Sequence, residues 1–379
     1  MIGIKNKLKI KNLKLKIKRI AIDISPTQDG NAVRGVGYYT SNLISALQTE
    51  IKSNPNYKNY QIDLITNVND LRSNTYDLIH YPYFDPFKLT LPKKTNIPTV
   101  VTVHDLIPRQ FKSHFPVGIK GEIKWFIQKH RLLKVDKILT VSHYSKNIIN
   151  QITKYNLNNI FVTHLAADPT FKVISDSKKL TEIQKKYNLP KKFILFVGDI
   201  NWNKNIPTLV KACLKLKFPL VIVGSSAVKK DVPNHPWTQD LLWLQSKSRE
   251  AEIQRTRELI LPGFVPDEDL PYFYNLATIY CQPSFAEGFG LPLVQAMKSG
   301  CPVAYSQDSC LDEIMDSNGL KFNPHSQKDL EKSLVQFWND NDLRQKYIKL
   351  GLIHAKNFDW KYTAIQTLAL YNLILKDEK

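Results

Sequence analysis

Short apolar runs alternate with longer segments of helical periodicity along most of this 379-residue chain. The runs are rich in β-branched residues, which is typical of parallel strands that are buried on both faces. We predict strands at residues 19–24, 61–66, 77–81, 99–103, 137–141, 160–163, 193–197, 220–223, 258–261, 279–281 and 302–305. The alternation of strands and helices predicts two doubly wound α/β domains.

The polar segment 176–192, which is rich in lysine and contains Pro190, is predicted to link the two domains. The resulting division is a flexible basic leader at 1–18, Rossmann-like domains at 19–185 and 186–358, and a final helix at 359–379. Active sites in such sheets lie at the carboxyl ends of the strands, so the site is predicted in a cleft between the domains.

Composition narrows the class of protein. The four cysteines show no Cys-x-x-Cys spacing, which argues against disulfides and a zinc site. No apolar run reaches the ~18 residues of a membrane span, and the first 20 residues are too rich in lysine for a signal peptide. These features predict a cytoplasmic protein.

Positive charge is concentrated in the first half of the chain. Residues 1–190 carry a net charge of +17, from 30 Lys plus Arg against 13 Asp plus Glu, whereas residues 191–379 carry only +2. The leader and the segment 109–137 supply much of this charge, and both interleave it with apolar residues. Such segments suit an anionic lipid surface. A solvated lysine-rich face is the alternative, and since a nucleic-acid role would rest on charge alone, none is expected.

The most informative segment joins a strand to a helix predicted at 292–298 through a glycine turn, made of Glu287, Gly288, Phe289, Gly290 and Leu291. Backbone N–H groups at a helix start lack intrahelical partners and, together with the helix dipole, favour a negative oxygen. The glycines let the backbone approach a ligand closely. We therefore predict a phosphate site here, with Glu287 accepting hydrogen bonds from hydroxyl groups.

This segment resembles the signature of the retaining glycosyltransferases of family 4, in which seven residues separate two glutamates. The resemblance extends over residues 19–375 and implies the GT-B fold, in which two Rossmann-like domains face each other across a cleft. It implies that Glu287 binds hydroxyls of the donor sugar and that Gln295, at the second glutamate position, binds the nucleotide ribose. Because glutamine lacks the charge that strengthens such a bond, we expect weaker or altered binding of the nucleotide.

The resemblance also assigns roles elsewhere. The loop at Gly35 is expected beneath the donor phosphates and beside the acceptor, and His104 is expected near the donor sugar, where its ring can donate a hydrogen bond. Lys204 matches one of two basic residues that hold the donor diphosphate, and Asp199 replaces the other. The expected catalytic residues are His104, Lys204 and Glu287, and the expected donor-binding residues are Gly35, Val36, Gly37, Asn203, Phe264, Val265, Gly288, Phe289, Gly290, Leu291 and Gln295.

The implied reaction transfers a hexose from a nucleoside diphosphate sugar to a hydroxyl group with retention of configuration, without a metal or cofactor. Segment 198–205 looks like that of mannosyltransferases, which favours GDP-mannose over a UDP-hexose. The expected acceptor is a saccharide or lipid-linked saccharide of the cell envelope, at the cytoplasmic face of the membrane. The final helix is expected to cross back to the first domain. Two alternatives stay open: an epimerase or phosphorylase of similar fold, and a degenerate binding protein, suggested by Gln295 and Asp199.

Overall fold

The computed structural model describes residues 16–28, 35–66, 75–93, 96–250, 253 and 256–376. Residues 1–15, which make up most of the predicted leader, lie outside this part. Lys18, the last leader residue, already begins the first strand.

The first domain is built on a six-stranded parallel sheet with strand order β2-β1-β3-β4-β5-β6. Its strands are β1 (Lys18–Asp23), β2 (Tyr60–Ile65), β3 (Leu78–Tyr81), β4 (Thr99–Thr102), β5 (Lys137–Thr140) and β6 (Ile160–Val162). The helices between them are α1 (Gly35–Ser53), α2 (Ile107–Gln110), α3 (Gly118–Leu132) and α4 (His143–Thr153).

The second domain contains another six-stranded parallel sheet, with order β12-β11-β10-β7-β8-β9. Its strands are β7 (Ile194–Val197), β8 (Leu220–Val223), β9 (Leu259–Gly263), β10 (Ile279–Gln282), β11 (Val303–Ser306) and β12 (Leu320–Phe322). The helices from residue 177 onward are α5 (Ser177–Lys186), α6 (Ile206–Leu216), α7 (Gln239–Ser248), α8 (Leu270–Leu276), α9 (Leu291–Lys298), α10 (Leu311–Met315), α11 (Gln327–Asn339), α12 (Asn341–His354) and α13 (Trp360–Lys376). Two doubly wound α/β domains, as the hydrophobic pattern predicted, are confirmed.

Both sheets are covered by apolar side chains on their two faces, and separate clusters pack on the two sides of each sheet. Strand β12 was not predicted. It is only three residues long, and Lys321 at its centre is exposed, so it shows no apolar run.

The segment predicted as a linker contains helix α5. Asp176 caps this helix by accepting a hydrogen bond from the backbone N–H of Lys179 at 3.0 Å. Ile183 is its only buried residue, and the helix packs against α8 of the second domain. Its two apolar residues, Leu180 and Ile183, do have helical spacing, but the many lysines around them made the segment resemble a linker.

Helix α13 packs against α1 of the first domain. The hydroxyl of Tyr371 lies 2.5 Å from Nδ1 of His80, whose Nε2 lies 2.8 Å from the hydroxyl of Thr102. His80 is fully buried, and burial, followed by the nearby His104, lowers its pKa to about 3. His80 is therefore a buried residue of β3 that connects this strand to β4 and to α13.

The four cysteines, Cys213, Cys281, Cys301 and Cys310, are buried and form no disulfide. Within the described ranges, no helix combines the length and the apolar run that a membrane crossing requires.

Candidate active site

The strand order of the second sheet changes direction between its neighbouring strands β7 and β10: β8 and β9 lie on one side of β7, and β10, β11 and β12 lie on the other. Ligands of doubly wound sheets bind at such a switch point, outside the carboxyl ends of the strands. The segment after β7 carries Lys204, and the loop after β10 carries Glu287. Two of the predicted catalytic residues therefore lie at the same edge of one sheet.

Lys204 and Glu287 form an ion pair in which Nζ of the lysine lies 2.8 Å from Oε1 and 2.7 Å from Oε2 of the glutamate. Burial alone would lower the pKa of Lys204, but the carboxylates of Glu287, Asp199 and Asp105 outweigh it and raise the pKa. The ammonium group is therefore charged. It has three hydrogens, and because two of them point at Glu287, one is left for a ligand oxygen.

Glu287 is held in place by polar residues at the end of β10. Its Oε1 accepts hydrogen bonds from Nε2 of Gln282 at 2.6 Å and from the hydroxyl of Ser284 at 2.7 Å. Tyr280 in turn donates its hydroxyl hydrogen to Oε1 of Gln282. Sequence reasoning missed these residues; the available signal was a polar Gln282 ending a buried strand. Among the described contacts, Oε2 receives only Lys204, which leaves capacity to accept a sugar hydroxyl.

Asn203 holds the loop that carries Glu287. Its side-chain Nδ2 donates a hydrogen bond to the backbone carbonyl of Ala286 at 2.9 Å. The backbone carbonyl of Asn203 accepts one from the N–H of Phe285 at 2.8 Å. The side chain is buried. Asn203 was predicted to bind the donor, and the contacts described here are with the loop.

Glycine is required at both glycine positions of the motif. A Cβ atom on Gly288 would lie 2.9 Å from the carbonyl oxygen of His104 and 3.2 Å from Oδ2 of Asp105. Gly290, which precedes α9, has φ +87°, and a Cβ there would lie 2.8 Å from a methyl group of Leu311. The motif of the second domain thus packs directly against the segment after β4 of the first domain.

Two serines of the first domain also hold this contact. The carbonyl of Gly288 accepts hydrogen bonds from the hydroxyls of Ser142 at 2.7 Å and Ser145 at 3.1 Å. The candidate residues from the two domains are therefore brought together across the cleft.

His104 is neutral in this structure and donates its one ring hydrogen to a backbone carbonyl. Its Nε2 lies 3.1 Å from the carbonyl oxygen of Pro82, and because a carbonyl only accepts, Nε2 carries the hydrogen and Nδ1 carries a lone pair. Burial lowers the pKa of His104 to about 4. The ring of Tyr39 packs perpendicular to the imidazole of His104, with 4.6 Å between the two ring centroids. From the sequence, His104 was expected to donate a hydrogen bond to the substrate. In the structure its one ring hydrogen is already donated to the carbonyl oxygen of Pro82.

Asp105 is a carboxyl group to which sequence reasoning assigned no role. One of its oxygens accepts from the N–H of Ile107 at 3.0 Å, and the other faces Gly288. Burial raises its pKa, and the neighbouring Glu287 acts in the same direction. Its position after His104, beyond a buried strand, was the available signal.

The residues expected to bind the nucleotide differ in what they expose. Phe264, after β9, is 64% exposed, so its ring is available to a base, whereas the side chain of Val265 is buried. The Oε1 of Gln295 accepts a hydrogen bond from the hydroxyl of Tyr274 at 2.9 Å. One hydrogen-bonding position of the Gln295 side chain is thus already occupied by another residue of the protein.

The predicted loop residues Gly35, Val36 and Gly37 form the first turn of α1. The residues just before them, 29–34, lie outside the described part. Helix α1 begins beyond the carboxyl end of β1 and carries Tyr39, which contacts His104, so its start lies beside the cleft.

Phe289 and Leu291 begin the path into α9. The ring of Phe289 is buried, and its centroid lies 5.8 Å from that of the His164 ring and 5.9 Å from that of the Phe358 ring. Leu291 is the first residue of the helix. Because the ring of Phe289 is enclosed, a ligand at this turn would meet backbone N–H groups rather than this side chain.

Comparison with known families agrees with this geometry. Residues 33–171 match the model of Glycosyltransferase Family 4, and residues 178–352 match that of Glycosyl transferases group 1. The O-antigen chain mannosyltransferase B of Escherichia coli is 30% identical over 285 residues, which cover 73% of this chain and 70% of the relative. This chain is a family 4 glycosyltransferase.

A second relative of this glycosyltransferase is much longer. The serotype-specific mannosyltransferase WbdA of Escherichia coli is 27% identical over 308 residues, which cover 78% of this chain but only 36% of the relative. This chain thus corresponds to about a third of WbdA.

Solved structures confirm the GT-B fold of the glycosyltransferase. Sucrose-phosphate synthase from Thermosynechococcus elongatus aligns with a TM-score of 0.70 at 18% identity, over 95% of this chain and 100% of its own. Anabaena HepE in complex with UDP-glucose aligns with a TM-score of 0.67 at 14% identity, over 93% and 99% of the two chains. At these identities the similarity establishes the fold alone.

Proposed function

We propose that this glycosyltransferase is a retaining, metal-independent hexosyltransferase that moves mannose from GDP-mannose to a hydroxyl of a saccharide or lipid-linked saccharide in envelope polysaccharide synthesis. The observation that carries the proposal is the Lys204–Glu287 pair at the switch point of the second sheet. Two relatives that are named as mannosyltransferases support mannose over other hexoses.

Each part of the donor has a matching group at the cleft. The diphosphate is held by the third hydrogen of Lys204 and by the N–H groups that begin α9. Hydroxyls of the sugar donate to Oε2 of Glu287 and to Nδ1 of His104. The ribose meets Gln295, and the base lies against Phe264.

The chemical step is a same-face displacement. The bond between the anomeric carbon and the diphosphate oxygen breaks while the acceptor oxygen bonds to that carbon, and the departing diphosphate takes the acceptor proton. Glu287 already receives hydrogen bonds from Lys204, Gln282 and Ser284, which suits it to binding better than to attack on the sugar. Closure of the domains excludes water from the activated sugar.

A thermal-shift screen against GDP, UDP, ADP and TDP and their sugar conjugates tests the donor. A ligand that binds the native state raises the melting temperature, so GDP-mannose is expected to give the largest shift. The variant Lys204→Ala should lose that shift, whereas Lys217→Ala, a change at an exposed lysine at the end of α6, should keep it. A larger shift with a UDP-sugar would reject GDP-mannose, and no shift with any nucleotide would reject a donor site.

The reaction itself is tested by product analysis. Transfer from GDP-mannose to a saccharide acceptor should persist with a metal chelator present, and NMR of the product should show the anomeric configuration of the donor. Turnover of donor alone into an isomeric sugar nucleotide would support the epimerase alternative. Loss of activity on chelation would contradict metal independence.

The proposed acceptor also suggests a location. A lipid-linked saccharide lies at the membrane, so we expect the enzyme on the cytoplasmic face of the cytoplasmic membrane as a peripheral protein. The net charge of +17 in residues 1–190 is consistent with attraction to anionic lipid.

A further inference from the structure

Helix α3 has apolar side chains on two opposite faces. One face, formed by Gly121, Trp125, Gln128 and Leu132, is buried against the first domain. The opposite face carries Ile119, Ile123 and Phe126, which are spaced by four and three residues and so lie in one row along the helix. We name these three residues the α3 ridge.

The α3 ridge is open to solvent to an unusual degree. Ile119 is 82% exposed, Ile123 55% and Phe126 74%. Single exposed apolar residues are common on protein surfaces, but a row of them marks an interaction surface. The described part of the chain leaves this row uncovered.

The buried face of α3 is fixed, so the ridge cannot turn inward without breaking it. The guanidinium of Arg109 lies 4.9 Å from the ring of Trp125, and its Nη1 lies 2.6 Å from Oε1 of Glu122. The Arg109 side chain is only 3% exposed. Trp125 is therefore packed in the core of the first domain, whereas the adjacent Phe126 is exposed to solvent.

The surroundings of the ridge are positively charged. Lys112 lies next to the ridge, and Lys120 and Lys124 are exposed along one side of α3, between the ridge and the buried face. The single acidic residue of α3, Glu122, is paired with Arg109, which lowers its pKa. A row of apolar side chains with lysines along one side matches an interface of acyl chains and anionic headgroups.

We propose that the α3 ridge inserts into an anionic lipid bilayer, with the flanking lysines against the headgroups. The leader, residues 1–15, is an unsuitable cover because it too is lysine-rich and would be repelled. The same repulsion opposes pairing of two ridges in a dimer.

The position of the ridge gives the contact a use, which rests on the proposed lipid-linked acceptor. The segment that precedes α3 borders the cleft, because Ile107 and Phe115 pack with Ala286, the residue before Glu287. The carbonyl of Pro116 also accepts a hydrogen bond from Nε1 of Trp237 in the second domain, at 3.0 Å. Insertion of the ridge would therefore hold the cleft close to the membrane surface.

Vesicle flotation of the full chain tests the proposal. The protein should float with vesicles that contain phosphatidylglycerol and should stay at the bottom with phosphatidylcholine alone. The triple variant Ile119→Gln, Ile123→Gln and Phe126→Gln should lose about tenfold or more in partitioning, since three apolar side chains no longer enter the bilayer. Glutamine is a good helix former, so α3 should remain folded.

A matched triple variant controls for the loss of exposed apolar surface. Val173→Gln, Ile353→Gln and Tyr362→Gln change residues that are 56%, 66% and 56% exposed and lie outside α3. This variant should float like the unmodified protein. Equal flotation of the ridge variant and the unmodified chain would overturn the proposal. It would also be overturned if the unmodified chain formed a dimer that the ridge variant loses, and if neither protein bound the vesicles.

The donor screen separates this proposal from the function. The ridge variant should keep the nucleotide-induced thermal shift, because the ridge lies outside the donor site. Donor binding without flotation would retain the transferase and reject the ridge. Flotation that depends on the ridge without donor binding would retain the membrane surface and reject the proposed donor and reaction.

Discussion

At the scale of single residues, burial and neighbouring charges determine the chemistry of the cleft. Lys204 stays charged because three carboxylates offset the cost of its burial. His104 has no carboxylate partner among its described hydrogen bonds, so burial leaves it neutral. Within the same cleft, Lys204 is therefore a cation and His104 is a neutral ring with a lone pair on Nδ1.

The protonation of His104 can be measured directly. Because burial lowers its pKa to about 4, the imidazole should stay neutral throughout the physiological range. In an NMR titration of histidine-labelled protein, the His104 signals, assigned by their loss in His104→Asn, should not move between about pH 5.5 and 8. A titration midpoint near the ordinary value of about 6.5 would contradict the buried neutral state.

Gln295 offers a second test at this scale. In Gln295→Glu, the carboxylate can still accept from Tyr274 and can bind the ribose with a charge-assisted bond, so nucleotide affinity should rise by about fivefold. Isothermal titration calorimetry measures the change. Gln48→Glu, at an exposed position on α1, adds the same charge away from the donor and should leave the affinity unchanged. Equal or weaker binding by Gln295→Glu would show that this residue does not contact the ribose.

The sequence identifies Lys204 and Glu287 because a glycine turn, a helix start and the spacing of the motif are local features. Their pairing was not predictable, since the two residues are far apart in the chain. The same holds for the hydrogen bond of His104 to Pro82, which lies in the preceding strand-to-loop segment. A hydrogen-bond partner depends on which side chains the fold brings within about 3 Å, and a linear pattern does not contain that information.

At the scale of elements, apolar runs identified the central strands well, because parallel strands are buried on both faces. The same rule fails where burial is slight. Strand β12 exposes Lys321 and so shows no apolar run. Helix α5 buries only Ile183, and its helical spacing rests on two apolar residues, Leu180 and Ile183, among many lysines.

The docking of α13 is testable through one hydroxyl. Tyr371→Phe removes the partner of buried His80, and an unsatisfied buried group costs about 1–3 kcal/mol, so the free energy of unfolding should fall by that amount. Urea denaturation measures the change. Tyr362→Phe alters an exposed tyrosine of the same helix and should have almost no effect. Equal stability of the two variants would show that the His80 contact does not fasten α13.

At the scale of the whole molecule, the two domains are joined by a carboxylate from one and a helix start from the other. Glu313 of α10 accepts hydrogen bonds from the backbone N–H groups of His143 at 2.9 Å and Tyr144 at 3.1 Å. It also accepts one from His164 at 3.1 Å. Negative charge is stabilised at the start of a helix, so this contact stabilises the arrangement of the two domains in this structure.

This contact should depend on pH. Burial raises the pKa of Glu313, but the hydrogen bonds from His164, His143 and Tyr144 outweigh it, and the pKa is lowered from the ordinary 4.5. The stabilisation is therefore fully present above 4.5 and is lost as the pH falls through the lower folded-state value. The melting temperature of Glu313→Gln should lie below that of the unmodified protein near neutral pH, and the difference should shrink in acid.

Glu182→Gln provides the control, because Glu182 is exposed on α5 and pairs only with Lys179 among the described residues. Its melting temperature should follow the unmodified protein at every pH. A difference for Glu313→Gln that is the same at about pH 4 and pH 7 would show that the charge of Glu313 does not hold the domains together.

The return of α13 to the first domain has a consequence for how the protein is made. A ribosome completes the residues of the first sheet long before it reaches Tyr371, yet His80 finds its partner only in that late helix. At about 5–20 residues per second, the first sheet waits many seconds for this partner. During translation, the first domain is therefore the last to be finished, although it is the first to emerge.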